Sequence, residues 1–96
     1  MHEVQLFFGG SLSPPQWQAF VDREVTPRFP EGFTVIEIRG QWRDRGGVIE
    51  RESGHELLIV TPAAGDFRFT EIRAAYKREF AQESVLLAEQ AVCAKF

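Results

Sequence analysis

FTVIEIRGQWR, residues 33–43, decides the fold of this chain. It alternates at the two-residue period of a strand: Thr34, Ile36, Ile38 and Trp42 share one side, and Phe33, Val35, Glu37, Arg39, Gln41 and Arg43 share the other. The first side reads as mostly core. The second begins apolar and then sets an acid, two guanidinium groups and an amide in one row, which is either a solvated sheet face or the wall of a site.

Upstream, residues 3–9 read as a first strand that ends at Gly9-Gly10. Ser13 stands before Pro14, Pro15 and Gln16, a Ser-x-x-Gln capping box with proline in the first helical turn. Trp17, Phe20, Val21 and Val25 follow as one apolar helical stripe, and Pro27 stops or kinks the helix. TPRFPEG then turns the chain into the central strand. Arg28, held between two prolines, either caps the last helix carbonyls or points a guanidinium at an anion.

Downstream, DRGG predicts a turn and residues 48–61 one long returning strand with a bulge near Ser53-Gly54. That register sets Arg39 near Glu52 and Gln41 near Glu50. Residues 62–65 close the strand. Asp66 caps a second helix running to about Ala81, with Phe69, Ile72, Tyr76 and Phe80 inward. Residues 84–96 read as the last strand, with an irregularity at Glu89-Gln90 and Cys93 as a buried, inert thiol. Strand, helix, strand, strand, helix, strand is the ferredoxin-like α+β order: a single domain over residues 1–96, an antiparallel four-stranded sheet, and both helices on one face. The other face is left bare. Its expected residues, Phe7, Val35, Leu57 and Ile59 beside Glu37 and Arg39, are too apolar to stay in water, so a second copy of the chain is the expected cover.

WQAFVDREVTPRFPEGFTV (17–35), RGQWR (39–43) and IRAAYKREFAQESVL (72–86) together resemble the bacterial domain-of-unknown-function family 3574 over nearly the whole chain. TPRFP with GQWR is the specific combination. The resemblance implies a small protein, often one that carries an N-terminal secretion or lipoprotein signal. It transfers no catalytic residue, and marks Thr26, Pro27, Arg28, Gln41, Trp42 and Arg43 as important to the family's structure or site. MHEVQLFF has no signal features, so the expectation is a cytoplasmic chain as written, or an envelope or secreted one if an upstream signal was removed.

Eleven basic against fourteen acidic side chains, a net −3, supply no field for a polyanion, and the inner strands lack the aromatic pairs that stack bases. Nucleic acid is therefore not an expected partner, and no stretch is long enough to be a membrane span. One cysteine and two separated histidines make no metal set; no cofactor motif or hydrolase triad is present. Glu37 and Tyr76 remain as candidate catalytic groups, and Arg28, Arg39, Gln41, Trp42 and Arg43 as candidate substrate-binding groups. Two functions stay open. One is a dimeric or trimeric small-molecule-binding domain for an anionic or amphipathic ligand, with isomerase, lyase or cyclase chemistry in reach. The other is a non-catalytic oligomeric interaction or regulatory module.

Overall fold

The computed structural model describes residues 1–63 and 65–96. In it, β1 (His2–Phe8), α1 (Pro14–Phe20), β2 (Thr34–Arg43), β3 (Ile49–Thr61), α2 (Phe67–Phe80) and β4 (Leu86–Ala91) follow in the expected order. The strands form one antiparallel sheet in the order β2-β3-β1-β4, with both helices packed on a single face. This is the ferredoxin-like arrangement.

Local chemistry sets the helix ends. The Ser13 amide donates to Gln16 Oε1 at 3.0 Å and the Gln16 amide to Ser13 Oγ at 3.4 Å, so both arms of the capping box form. After Phe20 the backbone widens into one π-helical turn, Val21–Val25, whose last bond runs from the Thr26 amide to the Val21 carbonyl. Asp66 caps α2 by accepting from the Arg68 amide, and Ala81 ends it in the left-handed conformation. The core lies between helices and sheet, where Phe8 packs against Trp17, Phe20 and Tyr76 with ring centroids 4.8–6.0 Å apart. Such aromatic pairs contribute about 0.5–1.5 kcal/mol each beyond area burial.

Register corrects several expectations. Val35 pairs with Leu57 and Leu57 with Leu6, so the parity of Phe33, Val35, Glu37 and Arg39 faces the helices. Leu57 and Ile59 are core residues. Thr34, Ile36, Ile38 and Trp42 instead lie on the open face with Phe7, Leu58 and Leu86. The reason is that β1 brings its own apolar parity, Val4, Leu6 and Phe8, onto the helices, and pairing forces the other strands to match it. No bulge interrupts β3, whose pairing with β2 is continuous from Leu58 to Ile49. Arg39 therefore stands opposite Ser53 and Gln41 opposite Arg51, one residue away from the expected partners. β4 likewise runs without an irregularity at Glu89-Gln90 and ends at Ala91, five residues before the expected end, which leaves Cys93 exposed outside the alternation. Within the 62–65 turn, Ala64 lies outside the described residues.

β1 stops at Phe8 opposite His55, while β2 and β3 continue. From about Gly40 to Glu52 the sheet is a two-stranded arm, and the molecule measures 44 Å along its longest axis against 26 and 21 Å across. The Asp44 carboxylate closes the arm's tip by accepting from the Gly46 and Val48 amides at 2.9 and 3.0 Å. At the arm's root, β1 passes so near β3 that a Cβ on Gly54 would stand 2.4 Å from the Phe8 carbonyl oxygen. Gly54→Ala is expected to push β1 off this contact and destabilise the fold by about 1–3 kcal/mol, as overpacking does. Urea denaturation measures it, and a loss below ~0.5 kcal/mol, the level of an ordinary surface change, would show that the approach is not tight.

Candidate functional site

Where the arm leaves the body, the open face carries a groove of 660 Å³, within the roughly 300–1,000 Å³ that small-ligand sites occupy. Its apolar wall is Phe7, Ile38, Trp42 and Leu86; Glu52, Glu83 and the 81–84 loop after α2 border it. Trp42 is 54% and Leu86 63% exposed, a large apolar presentation for a free surface. Gly40 lies between Ile38 and Trp42, and a Cβ placed there would meet no atom within 4 Å. The missing side chain is what leaves room over the strand. Among the described residues no arginine, lysine or histidine lines the groove, so its polar edge favours a neutral or positively charged group.

Strand parity sorts the charges around this groove. Glu3, Glu50, Glu52 and Glu56 belong to the open face, while Arg39, Arg43 and Arg51, the strand arginines, belong to the opposite one. Glu56 is 9% exposed and accepts from Gln5 Nε2 at 3.1 Å. Glu52 reaches over Gly9, its Oε2 3.4 Å from the Gly10 amide.

The residues marked by the sequence are divided among four places. Glu37, Arg39, Gln41 and Arg43 do form one row on the helix side of β2, exposed because the row runs beyond the helices. Glu37 is opposite His55, whose ring stacks on Trp17 with centroids 4.1 Å apart and planes within 4°. Arg39 and Gln41 border a second hollow of 510 Å³ with Ser11, Gly40, Arg51, Glu52 and Ser53. Trp42 points the other way, into the open-face groove.

Arg28 is remote from both. It donates to the Glu24 carbonyl oxygen at 2.9 Å, to Glu24 Oε2 at 2.8 Å and to Glu71 Oε2 at 2.9 Å. It thus caps the end of the first helical segment and ties it to α2, and its own pKa is raised chiefly by the bond to Glu71. Arg68 completes this clamp, stacked 4.0 Å over the Phe29 ring and bonded to Asp66, whose pKa it lowers through that hydrogen bond. Tyr76 is in the core, 1% exposed, and its hydroxyl donates to the Gly9 carbonyl. Burial, with the charge of Glu52 as a smaller cause, pushes its pKa up to about 12.

Sequence reasoning named neither Glu52 and Glu56 nor the gap at Gly40 as features of a site. Gly40 inside a strand was the available signal, since a strand glycine often marks a close approach or a space for another molecule. Among the described residues no cluster of histidine, cysteine and carboxylate groups has metal-site geometry, and no helix is long and apolar enough to cross a membrane.

Solved structures share the fold. A phage SAM lyase in complex with S-methyl-5'-thioadenosine superposes with a TM-score of 0.66 at 16% identity, over 93% of this chain and 79% of that one. Its apo state gives 0.61 at 19% identity, over 93% and 78%. The periplasmic divalent cation tolerance protein CutA from Archaeoglobus fulgidus gives 0.65 at 14% identity, over 100% and 88%. No curated protein matches the chain in sequence. The model of DUF3574, proteins of unknown function, matches residues 3–96, and the chain belongs to that family.

Two titrations test the geometry. Tyr76 is the sole tyrosine, so absorbance at alkaline pH reports it alone; a midpoint near 12 is expected while the protein stays folded, against about 10 once denatured. A midpoint near 10 in the folded protein would remove Tyr76 from the core. His55 has its pKa lowered from 6.5, mainly by burial and opposed by Glu37. Its neutral form is favoured on folding, so its contribution to stability is complete above 6.5 and is lost as pH falls through the lowered value. Denaturation midpoints measured between about pH 7 and 5 are expected to fall in the wild type and to flatten in His55→Gln. Equal slopes in the two proteins would refute the assignment.

Proposed function

We propose that this member of the DUF3574 family is a small-molecule-binding, oligomeric ferredoxin-like domain whose ligand lies in the open-face groove. The groove itself carries the reading: the exposed indole of Trp42 beside the half-buried ring of Phe7, a strand position left empty at Gly40, and carboxylates at one edge. A flat ring system against Trp42 or Phe7 with a polar, positively charged end toward Glu52 is the ligand this lining accommodates best. A sulfonium nucleoside has that shape and charge, and the likeness in fold to a SAM lyase supports trying that class first. Arg39, Gln41 and Arg43 border a different surface, so the groove takes the amphipathic rather than the anionic member of the expected ligand pair.

Neither Glu37 nor Tyr76 reaches the groove. Tyr76 is committed to the Gly9 carbonyl, which favours a second reading in which the domain retains its ligand without chemistry, as a regulatory module. Glu52 is then the group to test for any reaction.

Calorimetric titration with S-methyl-5'-thioadenosine and with S-adenosylmethionine tests binding. The wild type is expected to take up at least the sulfonium compound, and Gly40→Leu, which meets no atom of its own chain at Cβ, to stay folded and lose at least tenfold in affinity. Glu52→Gln is expected to narrow the preference for the charged compound several-fold. Absence of binding by the wild type, or equal binding by Gly40→Leu, would refute the groove. Chromatography of the S-adenosylmethionine mixture then separates the two readings: released S-methyl-5'-thioadenosine marks a lyase, and unchanged ligand marks a binding module.

A further inference from the structure

The three strand arginines have no carboxylate within ion-pair distance among the described residues. Arg51 stands opposite Gln41 and diagonal to both Arg39 and Arg43, so like charges are set side by side on a thin ribbon. In a cross-strand array that placement is unfavourable; Glu37, two positions from Arg39 in the same row, forms no ion pair with it among the described residues, and neither do Glu50 and Glu52. They belong to the same arm but project from its other side, because successive residues of a strand alternate faces.

Strand parity thus sets three arginines on the arm's helix side and Glu50 and Glu52 on its open side, and within one copy none of them pairs across the arm among the described residues. Two separate copies can bring them together. We infer that the helix-side surface of one copy's arm, with Arg39, Arg43 and Arg51, docks on the open face of the next copy beside Glu50 and Glu52. The contact joins unlike patches, so it is heterologous and closes into a ring when the rotation between copies allows. It also covers Trp42 and Leu86, the exposed apolar residues of the groove. A two-stranded ribbon is marginally stable alone in water, and docking gives the arm the packed layer it lacks.

The inference rests on the proposed groove in one respect: the neighbouring arginines form part of its rim. They supply the cationic group absent from the groove of a single copy, where a carboxylate of an amphipathic ligand would be held.

Native mass spectrometry with light scattering on the full chain tests the docking. The wild type is expected to be an oligomer, and Arg39→Glu/Arg51→Glu to be a folded monomer by circular dichroism. Adding Glu50→Lys/Glu52→Lys to that same chain exchanges the two patches and is expected to restore the wild-type stoichiometry. A monomeric wild type, an oligomer unaffected by the arginine reversals, or a combined variant that stays monomeric would each overturn the docking. Titration of the arginine-reversed monomer with S-adenosylmethionine separates this inference from the groove reading. At least tenfold weaker binding than the wild type is expected, while undiminished binding leaves the groove standing and removes the neighbour's arm from it.

Discussion

β3 has thirteen residues and β1 has seven, and this inequality governs the remainder of the molecule. Where β1 is present, β3 is a central strand, paired on both sides and covered by the helices. Beyond Phe8 it has β2 alone, and the sheet becomes an arm with both faces uncovered. The change happens at the contact of Gly54 with the Phe8 carbonyl, where the absence of a side chain lets β1 approach and then turn toward α1. Tyr76 holds the same turn from the helix side through the Gly9 carbonyl, and Glu52 lies over it from the open side.

The arm is where chemistry remains unassigned to structure. In the body, the candidate groups Arg28 and Tyr76, and Arg68 and His55 beside them, are already engaged. Arg28 and Arg68 tie the end of the first helical segment to α2, and Tyr76 fixes the β1 turn. His55 is stacked flat on Trp17. In the arm, by contrast, Arg39, Arg43 and Arg51 stand exposed on one side, with exposed Glu50, half-buried Glu52 and an indole on the other. A polar group without a partner and an apolar group without cover are both unfavourable, and one docking event relieves both.

The likeness to a SAM lyase and to CutA extends to the fold, at identities too low to carry residues across. A ferredoxin-like sheet with one uncovered face is a scaffold on which very different sites are built, so the fold by itself assigns this chain no function. Its open face offers a ring-sized apolar hollow edged with carboxylate.

Element order, the capping box at Ser13, the Asp66 cap, the Asp44 turn and the helical stripes were all legible in the sequence, because each depends on residues within a few positions of one another. So was the grouping of Glu37, Arg39, Gln41 and Arg43 on one side of β2, which the two-residue period guarantees. Which side that is was not legible. The parity of β2 is set by its pairing to β3 and of β3 to β1, and a shift of one residue in a chain of pairings exchanges core for surface; the expected Arg39–Glu52 neighbours and the expected bare face of Leu57 and Ile59 failed on that single count. The length of the arm, the exposure of Cys93 beyond the end of β4, the choice of the Gly9 carbonyl as acceptor for the Tyr76 hydroxyl and the hollow at Gly40 were likewise decided by tertiary structure, since each depends on where a different strand or helix stops.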